Sequence, residues 1–187
     1  MERIPGCEVI YQPGGEAFEY DALATSPYRG CGNGSIYCYV PGQVHMTRRA
    51  FDAGAQERKG YAQRVIKDAY ALLRQRNREQ VFLCFTTDPY HPYDTSLTRH
   101  TIATLRDAGQ GVCILTKGGD RSLRDLHQFR AHRDCYGFTM TSLDAEFAAR
   151  WERQAASPAE RLHAGLEYAR GGIYLWCSME PVLRHRA

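Results

Sequence analysis

The segment 26–39 contains side chains whose type and spacing could hold a metal centre. Cys31, Ser35 and Cys38 follow the spacing C-x3-S-x2-C, and glycines fill the gaps around them. Thiolates are the usual protein ligands of iron–sulfur clusters. Three of them on one short loop can hold three irons of a [4Fe–4S] cluster and leave the fourth iron open. Glycine lets such a loop wrap closely, because it accepts unusual backbone dihedrals at little steric cost.

Ser35 stands in the middle position, where a three-cysteine loop would have its second thiol. A serine oxygen binds iron more weakly than a thiolate, and its proton is far harder to remove. Three interpretations of Ser35 remain. It is a weak third ligand, it shows that the cluster has been lost, or it is an engineered or copying change. The last is possible because one base change converts a cysteine codon into a serine codon. A zinc site of Cys31, Cys38 and His45 is a further alternative, although its spacing fits none of the common zinc signatures.

The elements that must position this loop alternate between strands and helices. Short apolar runs predict strands at 23–27, 81–85, 111–115, 136–140 and 173–177. Periodic patterns and a capping box predict helices at 57–77, 97–108, 121–130 and from Ser157 to about Gly171. This alternation is typical of parallel βα units with right-handed crossovers.

The length of the chain limits how many βα units the barrel can contain. The chain has 187 residues, whereas a complete eight-unit barrel needs about 250. The predicted fold class is therefore α/β, a partial (β/α) TIM-like barrel with about five parallel units. We expect an N-terminal extension at 1–22, the barrel core at 23–182 and a short tail at 183–187.

Polar residues follow four of the predicted strands: Thr86, Thr87 and Asp88 after the second, Lys117 after the third, Thr141 after the fourth and Glu180 after the fifth. Ligands of parallel α/β proteins bind at the carboxyl ends of the strands. The sequence therefore predicts a binding site at this end, beside the cysteine loop. Cys84, Cys113 and Cys177 lie inside apolar runs and are predicted to be buried thiols.

The stretches Pro27–Cys31 and Ile36–Tyr39 resemble the cluster loop of the radical S-adenosylmethionine (radical SAM) superfamily. More narrowly, they resemble the branch around spore photoproduct lyase, whose members are often described as DNA repair photolyase-like. The resemblance extends from about Tyr11 to Val182. It implies that Cys31, position 35 and Cys38 bind the cluster and that Tyr37 lies beside the adenine of S-adenosylmethionine.

The resemblance also implies roles for the strand ends. The segment 86–88 would bind the amino group of S-adenosylmethionine, and Lys117 would meet its carboxylate. Thr141 falls where relatives have a serine that contacts the cofactor, and Glu180 belongs to a motif of the fifth strand. Family cores usually have six units, so we expect the sixth unit to be missing, as in a truncated chain with an open sheet edge.

The implied activity is radical chemistry. The reduced cluster would cleave S-adenosylmethionine to methionine and a 5′-deoxyadenosyl radical, which abstracts hydrogen from a substrate, with DNA suggested by the family description alone. An external flavodoxin- or ferredoxin-like protein would supply the electron. Two alternatives remain: a non-catalytic or truncated relative, and a metal-containing nucleic-acid-binding protein. The second rests on the basic residues between Arg58 and Arg78.

Composition favours a cytoplasmic globular protein without a membrane partner. The net charge is +3, and the seven cysteines are scattered. No apolar run reaches the length that spans a bilayer, and the first residues contain no apolar signal region.

Overall fold

The structure is a computed structural model, and it describes residues 2–182. The predicted tail at 183–187 lies outside the described residues. Within residues 2–182, no helix combines the length and apolar character needed to cross a membrane.

Strands and helices alternate through most of the chain. The strands are β1 (Glu2–Arg3), β2 (Ile10–Gln12), β3 (Leu23–Thr25), β4 (Tyr28–Arg29), β5 (Gln56–Glu57), β6 (Gln80–Leu83), β7 (Gly111–Thr116), β8 (Cys135–Thr139) and β9 (Tyr174–Ser178). The α-helices are α1 (Val40–Gln43), α2 (Arg48–Asp52), α3 (Tyr61–Arg74), α4 (Ser96–Asp107), α5 (Ala145–Trp151) and α6 (Pro158–Arg170). Two 3-10 helices span Gly15–Glu19 and Gly119–Gln128.

Seven strands form one sheet in the order β1-β2-β3-β6-β7-β8-β9, and β4 pairs with β5 in a separate ribbon. The five strands from β3 to β9 are parallel, with Leu23 opposite Val81 and Val81 opposite Val112. Helices α3 and α4, the second 3-10 helix, and α5 with α6 connect them in turn. The prediction of a partial βα barrel with five parallel units is confirmed.

The antiparallel strands β1 and β2 were not predicted; they extend the sheet from within the predicted N-terminal extension. Asp68, buried on α3, secures this segment. Its carboxylate accepts the backbone N–H groups of Glu8, Val9 and Ile10 at 2.9, 2.6 and 2.9 Å. These short strands have no hydrophobic periodicity of their own, because one distant side chain secures them. The sequence pattern therefore does not predict them.

Both faces of the central strands are buried, as near-continuous apolar runs predict. On the outer face, Leu83 and Ile114 belong to the same core as Val65 of α3 and Leu105 of α4. On the inner face, a smaller core contains Ala24, Phe82 and Cys113, with Phe85 and Trp176 packed against it. The inner core lies directly under the carboxyl ends of the strands.

Several element boundaries differ from the prediction. Helix α3 begins at Tyr61 rather than near 57, after Gly60 with a φ of +68°, and the predicted helix at 121–130 is a 3-10 helix. Helix α5 was not predicted, whereas the capping box of Ser157 and Glu160 is confirmed. Cys84 and Cys113 are buried as predicted, but Cys177 is exposed, because within residues 2–182 its strand β9 pairs with β8 alone.

Candidate functional site

A cavity of about 860 Å³ opens at the carboxyl ends of the parallel strands. It is lined by nearly every predicted site residue: Cys31, Ser35, Tyr37, Cys38, Thr86, Thr87, Asp88, Lys117 and Glu180. Thr141 is not among the lining residues, and Thr139, two positions earlier on β8, is. The contact predicted for Thr141 therefore stays a prediction. The volume is within the range of roughly 300–1,000 Å³ that small-molecule pockets usually have.

Asp88 joins three of the segments that surround the cavity. One carboxylate oxygen accepts the Asn33 side-chain amide at 2.9 Å and the Lys117 backbone N–H at 2.7 Å. The other accepts the backbone N–H of Tyr90 at 2.8 Å and the hydroxyl of Thr116. The buried carboxylate thus connects the cysteine loop, its own turn and the end of β7. Four protein donors surround it, so it positions these segments.

The cysteine loop is held against the barrel by backbone contacts. Thr87 donates its hydroxyl to the carbonyl of Gly30 at 2.6 Å. Gly30 has a φ of +84°, and a Cβ there would lie 2.3 Å from the carbonyl oxygen of Gly54. Only glycine fits this position, as the glycine-rich sequence of the loop predicts. Arg48 completes the support by donating to the carbonyls of Ser35, at 3.0 Å, and Cys38.

Tyr37 lies in a chain of hydrogen bonds that continues below the cavity. Its hydroxyl donates to Glu152, whose other oxygen accepts from Arg161 at 2.5 Å. Arg161 is fully buried and also donates to the carbonyls of Ala156, at 2.8 Å, and Thr139, at 2.9 Å. Burial, and then the nearby charge of Glu152, raise the pKa of Tyr37 far above its usual range. The phenol is therefore a neutral donor in a fixed orientation.

The two loop thiols lie in different surroundings. Cys31 is buried beside Val40 and Phe51, and Cys38 is partly buried against the same group. Burial, with a further contribution from Asp88, raises the pKa of Cys31 to about 12. Cys84 also lines the cavity, and its thiol donates to the carbonyl of Thr87 at 3.2 Å. Burial raises the pKa of Cys84 well above its usual value, so both buried thiols are protonated at neutral pH.

Unsatisfied polar atoms in the cavity wall fit a polar ligand. The hydroxyl oxygen of Thr86 and the side-chain carbonyl oxygen of Asn33 are buried and have no hydrogen-bond partner within the described residues. The Lys117 ammonium lies 5.8 Å from the ring centroid of Tyr37. Elsewhere in the cavity lining, Tyr20 donates to Glu180 at 2.6 Å. Acceptors, a cation and an aromatic face thus surround one space, which suits an amino acid joined to an aromatic base.

The donor set does not fit a cluster held by three thiolates. Two loop positions offer thiols, and the third offers the hydroxyl of Ser35. Among residues 2–182, no group of three or more histidine, cysteine, aspartate or glutamate side chains converges as metal ligands do. The same finding disagrees with the zinc alternative of Cys31, Cys38 and His45.

Sequence reasoning missed the residues that support the site from behind. Glu152 and Arg161 lie on either side of the start of α6 and meet only in the folded chain. Asn33 lies among the glycines of the loop and Tyr20 lies in the predicted N-terminal extension, and no sequence pattern distinguishes either residue. Glu152 and Arg161 do not belong to any periodic pattern in the sequence. The sequence around each residue therefore does not predict that the two are buried together.

The basic residues between Arg58 and Arg78 lie mainly on the exposed side of α3 and just beyond it. Two of them are engaged by one carboxylate, since Lys67 and Arg64 both pair with Glu8. Arg58 donates to the carbonyl of Tyr28 at 3.2 Å. Arg74, Arg76 and Arg78 remain exposed at the end of the helix.

No protein-family model and no curated protein sequence matches the chain. Among solved structures, it is similar to a spore photoproduct lyase double mutant with bound S-adenosylmethionine and a dinucleoside spore photoproduct. The TM-score is 0.71 with 16% sequence identity over 89% of this chain. The chain spans about half of that protein, 47% of its length. The chain therefore has the fold of the matched half of spore photoproduct lyase, as the resemblance of its cysteine loop implies.

Proposed function

We propose that the chain binds S-adenosylmethionine in the cavity at the carboxyl ends of its strands. One observation carries this proposal. The cavity brings the Cys31–Cys38 loop and the polar ends of β6 and β7 together, on a fold shared with an enzyme that binds this cofactor. The proposal concerns binding, since the identity of 16% supports the fold alone.

The wall of the cavity offers a partner for each part of the ligand. The Lys117 ammonium is the cation for the carboxylate, and Asn33 and Thr86 offer unsatisfied oxygens to the ammonium group. The ring of Tyr37, held by Glu152, offers a face to the adenine. Glu180, which also lines the cavity, is the counter-charge for the sulfonium.

Equilibrium dialysis of the full chain against labelled S-adenosylmethionine tests the proposal. We expect saturable binding and a loss of about tenfold or more in affinity for Lys117→Met, because a charge-assisted hydrogen bond contributes about 1.5–3 kcal/mol. Lys59→Met, on an exposed turn away from the cavity, is the matched control and keeps the wild-type affinity. Absence of saturable binding at millimolar ligand, in a chain that unfolds cooperatively, would overturn the proposal.

Radical chemistry is a second candidate function, and the thiols of Cys31 and Cys38 beside the cavity favour it. It requires a [4Fe–4S] cluster and an external flavodoxin- or ferredoxin-like electron donor. The donor set supplies two thiolates of three, which equally favours the alternative of a non-catalytic relative. Release of 5′-deoxyadenosine from S-adenosylmethionine by the anaerobically reconstituted, reduced chain separates the two. If no 5′-deoxyadenosine is released, the chain is a non-catalytic protein that binds S-adenosylmethionine.

A nucleic-acid partner is proposed on separate grounds. The spore photoproduct lyase structure holds a dinucleoside, and Arg74, Arg76 and Arg78 are exposed together here. Electrostatic binding to phosphates weakens steeply with salt. A salt series with single- and double-stranded DNA tests this partner. No affinity even at low salt would exclude it and leave these arginines as a solvated surface.

A further inference from the structure

Two cysteines outside the cavity are neighbours across the sheet. Cys113 in β7 and Cys135 at the start of β8 are paired in the parallel register. Adjacent strands lie about 4.7–4.9 Å apart, within the Cα separations of about 4.4–6.8 Å that disulfides bridge. Both cysteines pack against the inner core that contains Ala24 and Phe82, so their side chains project from the same face of the sheet.

The two thiols interact unequally. The adjacent Cys113 thiol lowers the pKa of Cys135 below its ordinary value, with help from Gln80 and against the effect of burial. The Cys135 thiol, together with burial, raises the pKa of Cys113. The carboxylates of Asp134 and Asp21 also face the pair: Asp134 opposes the lowering of the pKa of Cys135, whereas Asp21 adds to the rise in the pKa of Cys113.

The two thiols also differ in their exposure to solvent. Cys113 is buried, whereas Cys135 is only partly buried and can be reached from solvent. A low-pKa, accessible thiol beside a second cysteine is the arrangement that oxidants attack selectively. Cys135 thus has the properties of an attacking thiol and Cys113 those of a resolving thiol.

We propose that Cys113 and Cys135 form a peroxide-sensitive dithiol, a modification site separate from the S-adenosylmethionine cavity. The Cys135 thiolate attacks one oxygen of hydrogen peroxide, the O–O bond breaks, and the departing hydroxide takes up a proton as water. The sulfur of Cys113 then attacks the Cys135 sulfenic acid, the S–O bond breaks, and the thiol proton leaves with the hydroxide as a second water. Two thiols become one disulfide, and peroxide is reduced to water.

The disulfide would join β7 to β8 on the inner face. Phe82, which packs in the same core as Cys113, also lines the cavity. Oxidation thereby fixes two strands directly beneath the ligand site. The proposal does not depend on ligand binding, because the register of β7 and β8 alone makes the two thiols neighbours.

Peptide mapping of the full wild-type chain tests the disulfide. Trypsin places Cys113 in the peptide 107–117 and Cys135 in the peptide 134–150, each with a single cysteine. After peroxide treatment of the reduced chain, we expect these peptides to be linked in a non-reducing digest. We also expect both thiols to be lost and dithiothreitol to restore them. Oxidation of Cys135 without the linked peptide, or no reaction at Cys135, would overturn the proposal.

Variants test the order of attack. Cys113→Ser removes the resolving thiol, so we expect several-fold more dimedone adduct on Cys135 than in the wild type. Cys177→Ser removes an exposed thiol elsewhere on the sheet and is the matched control, with wild-type linkage between the two peptides. An unchanged adduct level in Cys113→Ser, in a sample that unfolds cooperatively, would contradict the assigned roles. The peptide map is made with the wild-type chain alone. It therefore tests the disulfide even if one of these variants does not fold.

Discussion

Ser35 is built into the loop through both its side chain and its backbone. Its carbonyl accepts from Arg48 at 3.0 Å, its backbone pairs with Glu152 in an isolated bridge, and its side chain partly offsets the rise in the pKa of Tyr37. The serine therefore lies beside Tyr37 and Glu152, where a cysteine would offer a metal ligand.

Ser35→Cys is expected to convert the loop into a complete iron–sulfur site. After anaerobic reconstitution, the variant should bind about four irons with matching sulfide, because three thiolates then share the loop. The wild type should retain much less. Iron and acid-labile sulfide analysis with absorption spectra measures this difference. Ser96→Cys adds an exposed thiol on α4 as the control and should behave as the wild type; equal cluster content in all three chains would contradict the role given to Ser35.

Asp88→Asn should weaken the connection between the loop and the strand ends. An asparagine retains one acceptor oxygen but turns an amide N–H₂ toward two of the four donors, which leaves buried donors unpaired. We expect a loss of roughly 2–3 kcal/mol in the free energy of unfolding. Urea titration measures it. Asp94→Asn is exposed and serves as the control, with a smaller loss; equal effects in both variants would show that Asp88 has no special role.

At the scale of elements, the segment from α5 to α6 supports the cysteine loop from below. Ile36 donates its backbone N–H to Trp151 at 3.0 Å, and Gln154 donates to Asn33 at 3.0 Å. Glu152, between these contacts, holds Tyr37 on one side and Arg161 on the other. The loop geometry therefore depends on a buried ion pair outside the loop.

Glu152→Gln should destabilise the fold by about 3–5 kcal/mol, because it leaves the buried guanidinium of Arg161 without its counter-charge. The midpoint of urea unfolding reports the loss, and weaker binding of S-adenosylmethionine should accompany it. Glu146→Gln, on the exposed side of α5, should stay within about 0.5 kcal/mol of the wild type. Adding Arg161→Met to Glu152→Gln should recover part of the loss; a double variant no more stable than the single one would argue against the ion-pair explanation.

At the scale of the whole molecule, the end of the barrel opposite the cavity contains a partly buried carboxyl group with a raised pKa. Burial raises the pKa of Asp21 to about 7, with further contributions from Cys135 and Glu79. One oxygen accepts the backbone N–H of Ala22 at 2.9 Å, and the other has no partner within the described residues. The folded chain therefore holds a proton on this group that the unfolded chain releases at lower pH.

Stability should accordingly fall as pH rises from about 4, the unfolded pKa of aspartate, to about 7. In this range the folded state binds more protons than the unfolded state, so each rise in pH favours unfolding. Asp21→Asn should remove this dependence and stabilise the chain at pH 8 by about 1 kcal/mol, after allowance for solvent screening of a partly exposed group. Thermal unfolding at pH 5 and pH 8 measures both effects. An unchanged difference between the two pH values in the variant would rule out Asp21 as the cause.

Features that depend on local chemistry could be predicted from the amino-acid sequence. The apolar runs predict all five parallel strands, and Ser157 with Glu160 predicts the start of α6, because periodicity and capping act over a few residues. The polar strand ends and the cysteine loop predict the location of the site, since parallel strands end at the same side of a sheet. The resemblance of the loop added the fold family that the solved structure bears out.

Contacts between residues far apart in the sequence are visible in the folded chain and could not be predicted. Strands β1 and β2 depend on Asp68, and Tyr37 depends on Glu152, more than one hundred residues further along the chain. The same holds for Cys113 and Cys135, which become neighbours only through the register of β7 and β8. Buried polar groups must find partners wherever the folded chain supplies them. Those partners are chosen by packing across the sheet and leave no pattern in the sequence around either residue.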